Sequence, residues 1–490
     1  MRIPLITSLA PLVFEAVQEP PPQSLSFTPR HAHAHSLSRS APLLFADTPA
    51  SVQSVASLAN DMVVRTRRST IRRPSSHPPE ILSWARSAHA RAAGGNATVN
   101  GWAAPSMEWE GGWEDVEVEM PDITDRQTLL TLAKMASNAY SQHDDYGWYP
   151  INGSNNGTEF GWEPDADGLR GHVFADETNS TVVIAIKGTS AGVLGSGGPT
   201  SKNDKFNDNL LFSCCCARVD FSWSPVCDCY AGGYKCEQTC LEKALVEESV
   251  YATVGTNLYN NVTYMYPNAN IWLTGHSLGG SLAALIGLSF GAPAVGFEAP
   301  GDRLPARRLH LPQPPAVPPE KSGITHVYHT ADPIPMGACT GAYSGCYAAG
   351  FALEAKCHTG LTILYDTVTV KGWSVDVRTH RIGEVINKVL ADPWPVGDED
   401  EDDDEGRDGG EGGGGGGGGG GWDDDDDDDD IPDPGTGWVN WFPWGRWGKK
   451  DPKKPKNPDW EKHGGVPRAK SESTCVDCYK WEFGDNWDNK

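Results

Sequence analysis

An α/β domain, with a mainly parallel sheet covered by helices, is the fold class that the sequence predicts. Three observations carry that reading. Short continuous apolar runs mark strands buried on both faces: "TVVIAIKG" from Thr181, "NIWLTG" from Asn270, "GITHVYH" from Gly323 and "LTILYDTV" from Leu361. Helical stretches lie between several of them in the chain. In "ANIWLTGHSLGGSLAALIGLSFG" (269–291), an apolar strand passes through Gly275-His276-Ser277-Leu278-Gly279 directly into a run of small and apolar residues.

The elements follow in chain order. Residues 1–20 hold one Arg and an apolar run broken by Pro4, Pro11 and Glu15. They read as a signal or signal-anchor segment, with a disordered start as the alternative, and no other run approaches the ~20 apolar residues that cross a bilayer. Residues 21–104, rich in Pro, Ser, Ala and Arg, read as a low-order luminal segment. Its "HAHAH" at 31–35 has no acid or Cys beside it and reads as surface chain. The α/β domain is placed at 105–395. A helix is expected over 124–142, capped by Thr124, with Leu129, Leu132, Ala133, Ala136 and Tyr140 along one face. A hairpin follows, "GHVFAD" and "TVVIAIKG" joined at Glu177-Thr178-Asn179. One helix is expected over 239–259 and another over 278–290. Beyond Pro395, residues 396–490 pass from an acidic run through unbroken Gly at 412–421 and Asp at 423–430 to a Trp/Lys-rich end. Such composition cannot bury enough apolar surface to offset chain entropy, so a disordered tail is expected.

The net charge of −25 over 490 residues belongs mostly to that tail, because residues 398–430 contain 18 acids and one Arg. What remains is ordinary for a soluble enzyme and gives no support to nucleic-acid binding. Seven of the twelve cysteines crowd into a Cys-rich insert, Cys214 to Cys240, without the regular spacing of a zinc site. Five Asn-x-Ser/Thr acceptors, at Asn96, Asn152, Asn156, Asn179 and Asn261, join the cysteines in pointing to the secretory route and to disulfides.

Gly-x-Ser-x-Gly at a strand-to-helix turn is the pattern of a nucleophile elbow: Gly275 and Gly279 leave room for a tight turn that lifts the Ser277 hydroxyl clear of the sheet. That hydroxyl needs a base, and the base needs an orienting carboxylate, in the chain order Ser, acid, His. Asp332 follows an apolar strand and precedes prolines; Asp302 and Asp366 are the alternatives. His380, after the last strand, leads His358, while His310, His326 and His329 sit in the wrong order or too close to the acid. Oxyanion donors are expected from Leu278, next after the nucleophile, and from Thr189, whose amide and hydroxyl both follow an earlier strand. A triad of this kind needs no metal or cofactor. The competing reading is a non-catalytic membrane-binding module on a hydrolase-like fold, with another secreted acyl esterase as a third.

Through "KGTS", "TGHSLGGSLAAL" and "TADPIP", the chain resembles the class 3 (fungal-type) triacylglycerol lipases. Through the Cys-rich insert, "FGAPAVGFEAPGDRLPARRLHLP" and "HTADPIPMGACTGAYSGCYAAGFALEAKCHTG", it resembles more narrowly the fungal vacuolar lipases of autophagy, over residues 25–395. The resemblance implies an α/β-hydrolase fold with Ser277, Asp332 and His380 as triad. It also implies hydrolysis of phospholipids, notably phosphatidylserine, and of neutral lipids. Vesicle membranes would be its partners. Delivery would be as a single-pass type II glycoprotein, through endoplasmic reticulum, Golgi and multivesicular bodies to the vacuole lumen. The apolar run "PLITSLAPLVF" is shorter than that family's anchor.

Overall fold

The computed structural model describes residues 23–35, 43–48, 63–75, 98–99, 102–103, 113–141, 148–149, 169–189, 201–218, 224–340, 344–395, 465–485 and 487. Residues 1–20, expected as a signal or signal-anchor segment, the acidic run, and the acceptors Asn96, Asn152 and Asn156 lie outside these residues. Among the described residues, no helix is long and apolar enough to cross a membrane. Asn179 and Asn261 are both exposed.

The strands are β1 (Ser24–His35), β2 (Leu43–Asp47), β3 (Val63–Pro74), β4 (Thr98–Val99), β5 (Trp102–Ala103), β6 (Trp113–Pro121), β7 (Arg170–Asp176), β8 (Thr181–Ile186), β9 (Tyr230–Gly232), β10 (Lys235–Glu237), β11 (Asn270–His276), β12 (Ala294–Phe297), β13 (Ile324–His329), β14 (Leu361–Tyr365), β15 (Lys470–Ser471) and β16 (Glu482–Gly484). The helices that matter here are α1 (Arg126–Asn138), α2 (Ser201–Phe212), α3 (Gln238–Glu248), α4 (Val250–Met265), α5 (Leu278–Phe290) and α6 (Arg303–Arg308). One sheet runs in the order β15-β14-β13-β12-β11-β8-β7-β1-β3-β6, with β2 paired to β1. Its centre, β8 with β11 to β14, is parallel.

Alternate side chains of the central strands feed two separate cores. Val182, Ile184 and Ile186 of β8 join Ile271, Leu273 and the apolar face of α5 on one side. Val183 and Ala185 join Trp272, Phe297, Val327 and the buried face of α1 on the other. Both faces are therefore apolar, which is why these strands read as unbroken apolar runs. α1 is capped by Asp125, whose carboxylate accepts from the Thr128 amide, whereas Thr124 donates to Asp122 one turn earlier. The helix expected over 239–259 is two helices, because Ser249 between them is extended at ψ 97°.

Two expectations are corrected. Part of the segment 21–104 is not low-order chain: β1, β2 and β3 extend the sheet antiparallel beyond β7. Cross-strand charge pairing accounts for the Arg-rich β3. Its Arg72 and Arg73 stand opposite Asp115 and Glu114 of β6 and bind them at 2.7 Å. In "HAHAH", His33 is buried against the Ala185 carbonyl at 3.2 Å, and His31 lies between Asp47 and the Tyr266 hydroxyl. The tail 396–490 is likewise not disordered throughout. Residues 465–485 return to the domain, where β15 pairs with β14 and β16 with β10. Disulfides Cys214–Cys478 and Cys357–Cys475 fasten this segment, and the insert is closed by Cys215–Cys236, Cys216–Cys227 and Cys229–Cys240. A sixth bridge joins Cys339 and Cys346.

Glu472 docks the returning segment: it accepts from the His358 amide at 2.8 Å and lies 3.2 Å from His358 Nδ1. Burial opposes its ionisation, but the His358 charge and hydrogen bonds prevail and hold it at about 2. Burial likewise opposes the charge on His358, and Glu472 outweighs it, so that its pKa is raised. The stability contributed by ionised Glu472 is complete above the ordinary value of 4.5 and fades as pH falls toward 2. That contributed by charged His358 is complete below 6.5 and fades as pH rises through its raised value. The pair is therefore strongest between these limits. Glu472→Gln should cost about 3 kcal/mol at pH 5.5 and clearly less in alkaline buffer. Thermal melts across pH check this, and a loss that does not vary with pH would show that the contact is not electrostatic.

Candidate active site

Ser277 joins β11 to α5 with φ 58° and ψ −133°, a left-handed conformation that costs a non-glycine residue about 1–3 kcal/mol. The neighbouring backbone holds it there. A Cβ on Gly275 would lie 2.3 Å from the Gly279 carbonyl oxygen, and one on Gly279 would lie 2.2 Å from that of Ile186. Only glycine fits either side of the turn, so the hydroxyl is carried to the carboxyl edge of the sheet, above the N-terminus of α5.

Asp332 and His380 reach the same edge. Asp332 lies in the turn after β13, fully buried, with its Oδ1 accepting from the Ile334 amide at 3.0 Å. His380 closes the short 3-10 turn Val377–His380, where the Asp376 carboxylate accepts from the Arg378 amide. Its Nδ1 lies 2.6 Å from Asp332 Oδ2, and its Nε2 lies 2.9 Å from Ser277 Oγ. With the proton on Nδ1, the imidazole donates to the carboxylate and accepts from the hydroxyl. Burial disfavours the Asp332 charge, but the His380 charge and hydrogen bonds outweigh it, and its pKa is lowered.

The competing residues are engaged elsewhere. Asp302 accepts from Thr359, and His326 lies 3.2 Å from it. Asp366 caps the helix at Thr367–Lys371. His310 lies 3.1 Å from Glu242, His358 is held by Glu472, and His329 is held by the Thr379 carbonyl.

On the oxyanion side, Leu278 is the first residue of α5, directly after the nucleophile. Gly188, just before Thr189, approaches so closely that a Cβ on it would lie 3.0 Å from Ser277 Cβ. The Thr189 hydroxyl donates to Asp208 Oδ2 of α2 at 2.6 Å, leaving the amide as the donor this residue can aim at substrate. Burial pushes Asp208 up to about 8 even against that hydrogen bond. Beneath lies Lys187, buried and 3.7 Å from Asp204.

Three residues do more here than the sequence reading gave them. His276 is more than an elbow residue: its Nε2 donates to the His380 carbonyl at 2.7 Å and its Nδ1 accepts from the Tyr140 hydroxyl at 2.8 Å. Burial drives its pKa down to about 3, so it stays neutral and fixes the backbone of His380. Tyr140 was expected only on the apolar face of a helix over 124–142, but α1 ends at Asn138, short of it. Asp208 carried no signal, since an acid in a helix is commonplace. Cys216, Cys227 and Cys229 lie close together, but each is consumed in a disulfide and offers no thiolate to a metal.

A parallel sheet carrying this elbow, with acid and imidazole following in that chain order, is an α/β-hydrolase. The family model described as "Lipase (class 3)" matches residues 212–338. A protein of Cryptococcus neoformans var. neoformans serotype D, strain JEC21, printed as "Putative lipase ATG15", is 57% identical over 516 residues, covering 99% of this chain and 97% of its own. The protein of the same name from Saccharomyces cerevisiae S288c is 52% identical over 284 residues, covering 57% of this chain and 54% of its own. The chain belongs to the ATG15 lipase family. Among solved structures, the Yarrowia lipolytica LIP2 lipase is 19% identical, covers 42% of this chain and 72% of its own, and has a TM-score of 0.23.

Proposed function

We propose that this lipase hydrolyses carboxylic esters of membrane phospholipids, notably phosphatidylserine, and of neutral lipids through an acyl-Ser277 intermediate. His380 takes the Ser277 proton as Oγ attacks the ester carbonyl, then returns it to the departing alcohol or lysolipid. Asp332 holds the imidazole tautomer and balances the imidazolium. The amides of Thr189 and Leu278 receive the oxyanion. A water activated by His380 then releases the fatty acid. The observation that carries this reading is the continuous relay from Ser277 Oγ to His380 at 2.9 Å and from His380 to Asp332 at 2.6 Å. Six disulfides and exposed acceptors at Asn179 and Asn261 suit delivery through the secretory route. The vacuole lumen, where lysis of autophagic bodies and multivesicular-body vesicles calls for such a lipase, is the proposed destination.

A fluorophosphonate probe and a substrate panel test the proposal together. Wild type should be labelled at Ser277 and should release fatty acid from phosphatidylserine liposomes faster than from phosphatidylcholine liposomes or triacylglycerol emulsion. An unlabelled protein would favour the binding module. Labelling with no lipid preference would remove the headgroup claim alone.

A further inference from the structure

Directly behind Asp332 lies a second buried acid, Glu298, that the reaction as written does not use. It follows β12, is fully buried, and holds a left-handed backbone at φ 44°. A glutamate has no side-chain reason to adopt that conformation, which costs about 1–3 kcal/mol and persists only where the surroundings require it. Here the requirement is visible: the Glu298 amide donates to the Val327 carbonyl at 2.9 Å, and the His329 amide donates to Glu298 Oε2 at 3.4 Å. The Glu298 carboxyl lies beside the Asp332 carboxyl, within reach of a hydrogen bond. Two carboxylates cannot make such a bond; one must supply a proton. Asp332 faces His380, so the proton belongs on Glu298. Its Oε1 is buried and, among the described residues, meets no donor within hydrogen-bond distance, His329 Nε2 standing 3.8 Å away.

We infer that Glu298 is a positioning residue for ester hydrolysis: it keeps its proton and donates it in a hydrogen bond to the Asp332 carboxylate, fixing the direction in which Asp332 meets His380. The inference rests on Ser277, Asp332 and His380 acting as the triad. The groups facing Glu298 agree with it. Burial first, then the Asp332 charge, raises the Glu298 pKa well above its usual value. His329, whose Nε2 is 3.8 Å from Oε1, is kept neutral chiefly by burial and offers no competing charge. The Tyr328 phenol, also sensitive to Glu298, is raised by burial and stays neutral. Asp332 is held by the Ile334 amide and by His380, and the Glu298 proton adds a third donor that keeps it turned toward the imidazole.

Kinetics of the full chain on a soluble short-chain ester, across pH, test this with four proteins: wild type, Ser277→Ala, Glu298→Gln and Glu298→Met. Gln has the shape of the protonated acid and the same donor, so it should fold and keep kcat within about threefold of wild type. Met fills the space without donating. Its kcat should fall about 10- to 100-fold with KM little changed, because the base is no longer held in line. The acid limb of its kcat/KM profile should move to higher pH, because the charge on Asp332 is then less dispersed; a merely structural residue would not move that limb. Should the Met variant not fold, Glu298→Asp, too short to reach, stands in for it. Gln impaired or misfolded as badly as Met overturns the inference, and so does a non-donating variant with wild-type kcat and pH profile. Activity surviving in Ser277→Ala would instead overturn the triad reading on which it rests.

Discussion

Ser277→Ala abolishes ester hydrolysis, with kcat expected to fall about 10⁶-fold while the protein folds and melts as before. The side chain lost is one oxygen on a residue only 8% exposed, and alanine meets the same left-handed constraint at φ 58° as serine does. No core contact is removed, so a change in melting temperature of more than a few degrees is not expected. Asp332→Asn should be milder, about 10⁴-fold, because the amide would favour the wrong tautomer of His380 but leave Ser277 and the oxyanion donors in place. The order matters as much as the sizes. In a triad acting as a unit, adding Asp332→Asn to Ser277→Ala lowers the residual rate no further. Fatty-acid release by the single and double variants measures this. A Ser277→Ala protein with a tenth of wild-type activity would place the nucleophile elsewhere.

The convergence of Ser277, Asp332 and His380 on one edge was legible because these residues obey local rules. Gly275, Ser277 and Gly279 announce a turn whose steric demands can be worked out from the absence of Cβ, and the collisions at 2.3 and 2.2 Å are the ones that reasoning anticipates. Asp332 and His380 follow from chain order and from strands that end where apolar runs end. What escaped depends on partners distant in sequence. β3 has a half-buried, Arg-rich face that makes sense only opposite the acids of β6, some forty residues later. The charges of "RTRRSTIRR" and "WEDVEVEM" are complementary, and that was the available signal for the antiparallel extension. His276 and Glu298 act through the base and the acid rather than on substrate, so no motif spacing marks them. The returning segment is separated from its partners by acidic and glycine runs whose composition offers no apolar core, and they concealed an ordered segment beyond.

That returning segment is where the largest loss of stability is expected. Cys357–Cys475 closes 118 residues and Cys214–Cys478 closes 264. Either bridge alone would constrain the unfolded chain by about 5 kcal/mol on the chain-entropy model. Their C-terminal cysteines are three residues apart, but Cys214 and Cys357 lie far apart in the chain, so each bridge still closes a long loop when the other is intact. Removing one pair, as Cys357→Ala with Cys475→Ala, should therefore cost about 4 kcal/mol, and removing both about 8 kcal/mol, with a fall in melting temperature of 10 °C or more. The segment's other ties are β15 at the edge of β14, Glu472 at His358 and Tyr328, and the carbonyls of Glu472 and Cys475 at Arg303. With both bridges gone, those contacts must gather an untethered segment. Melting the two single-bridge variants beside the double one decides the matter: losses that roughly add are expected. A second removal that costs almost nothing beyond the first would mean that the bridges do not act by constraining the unfolded chain.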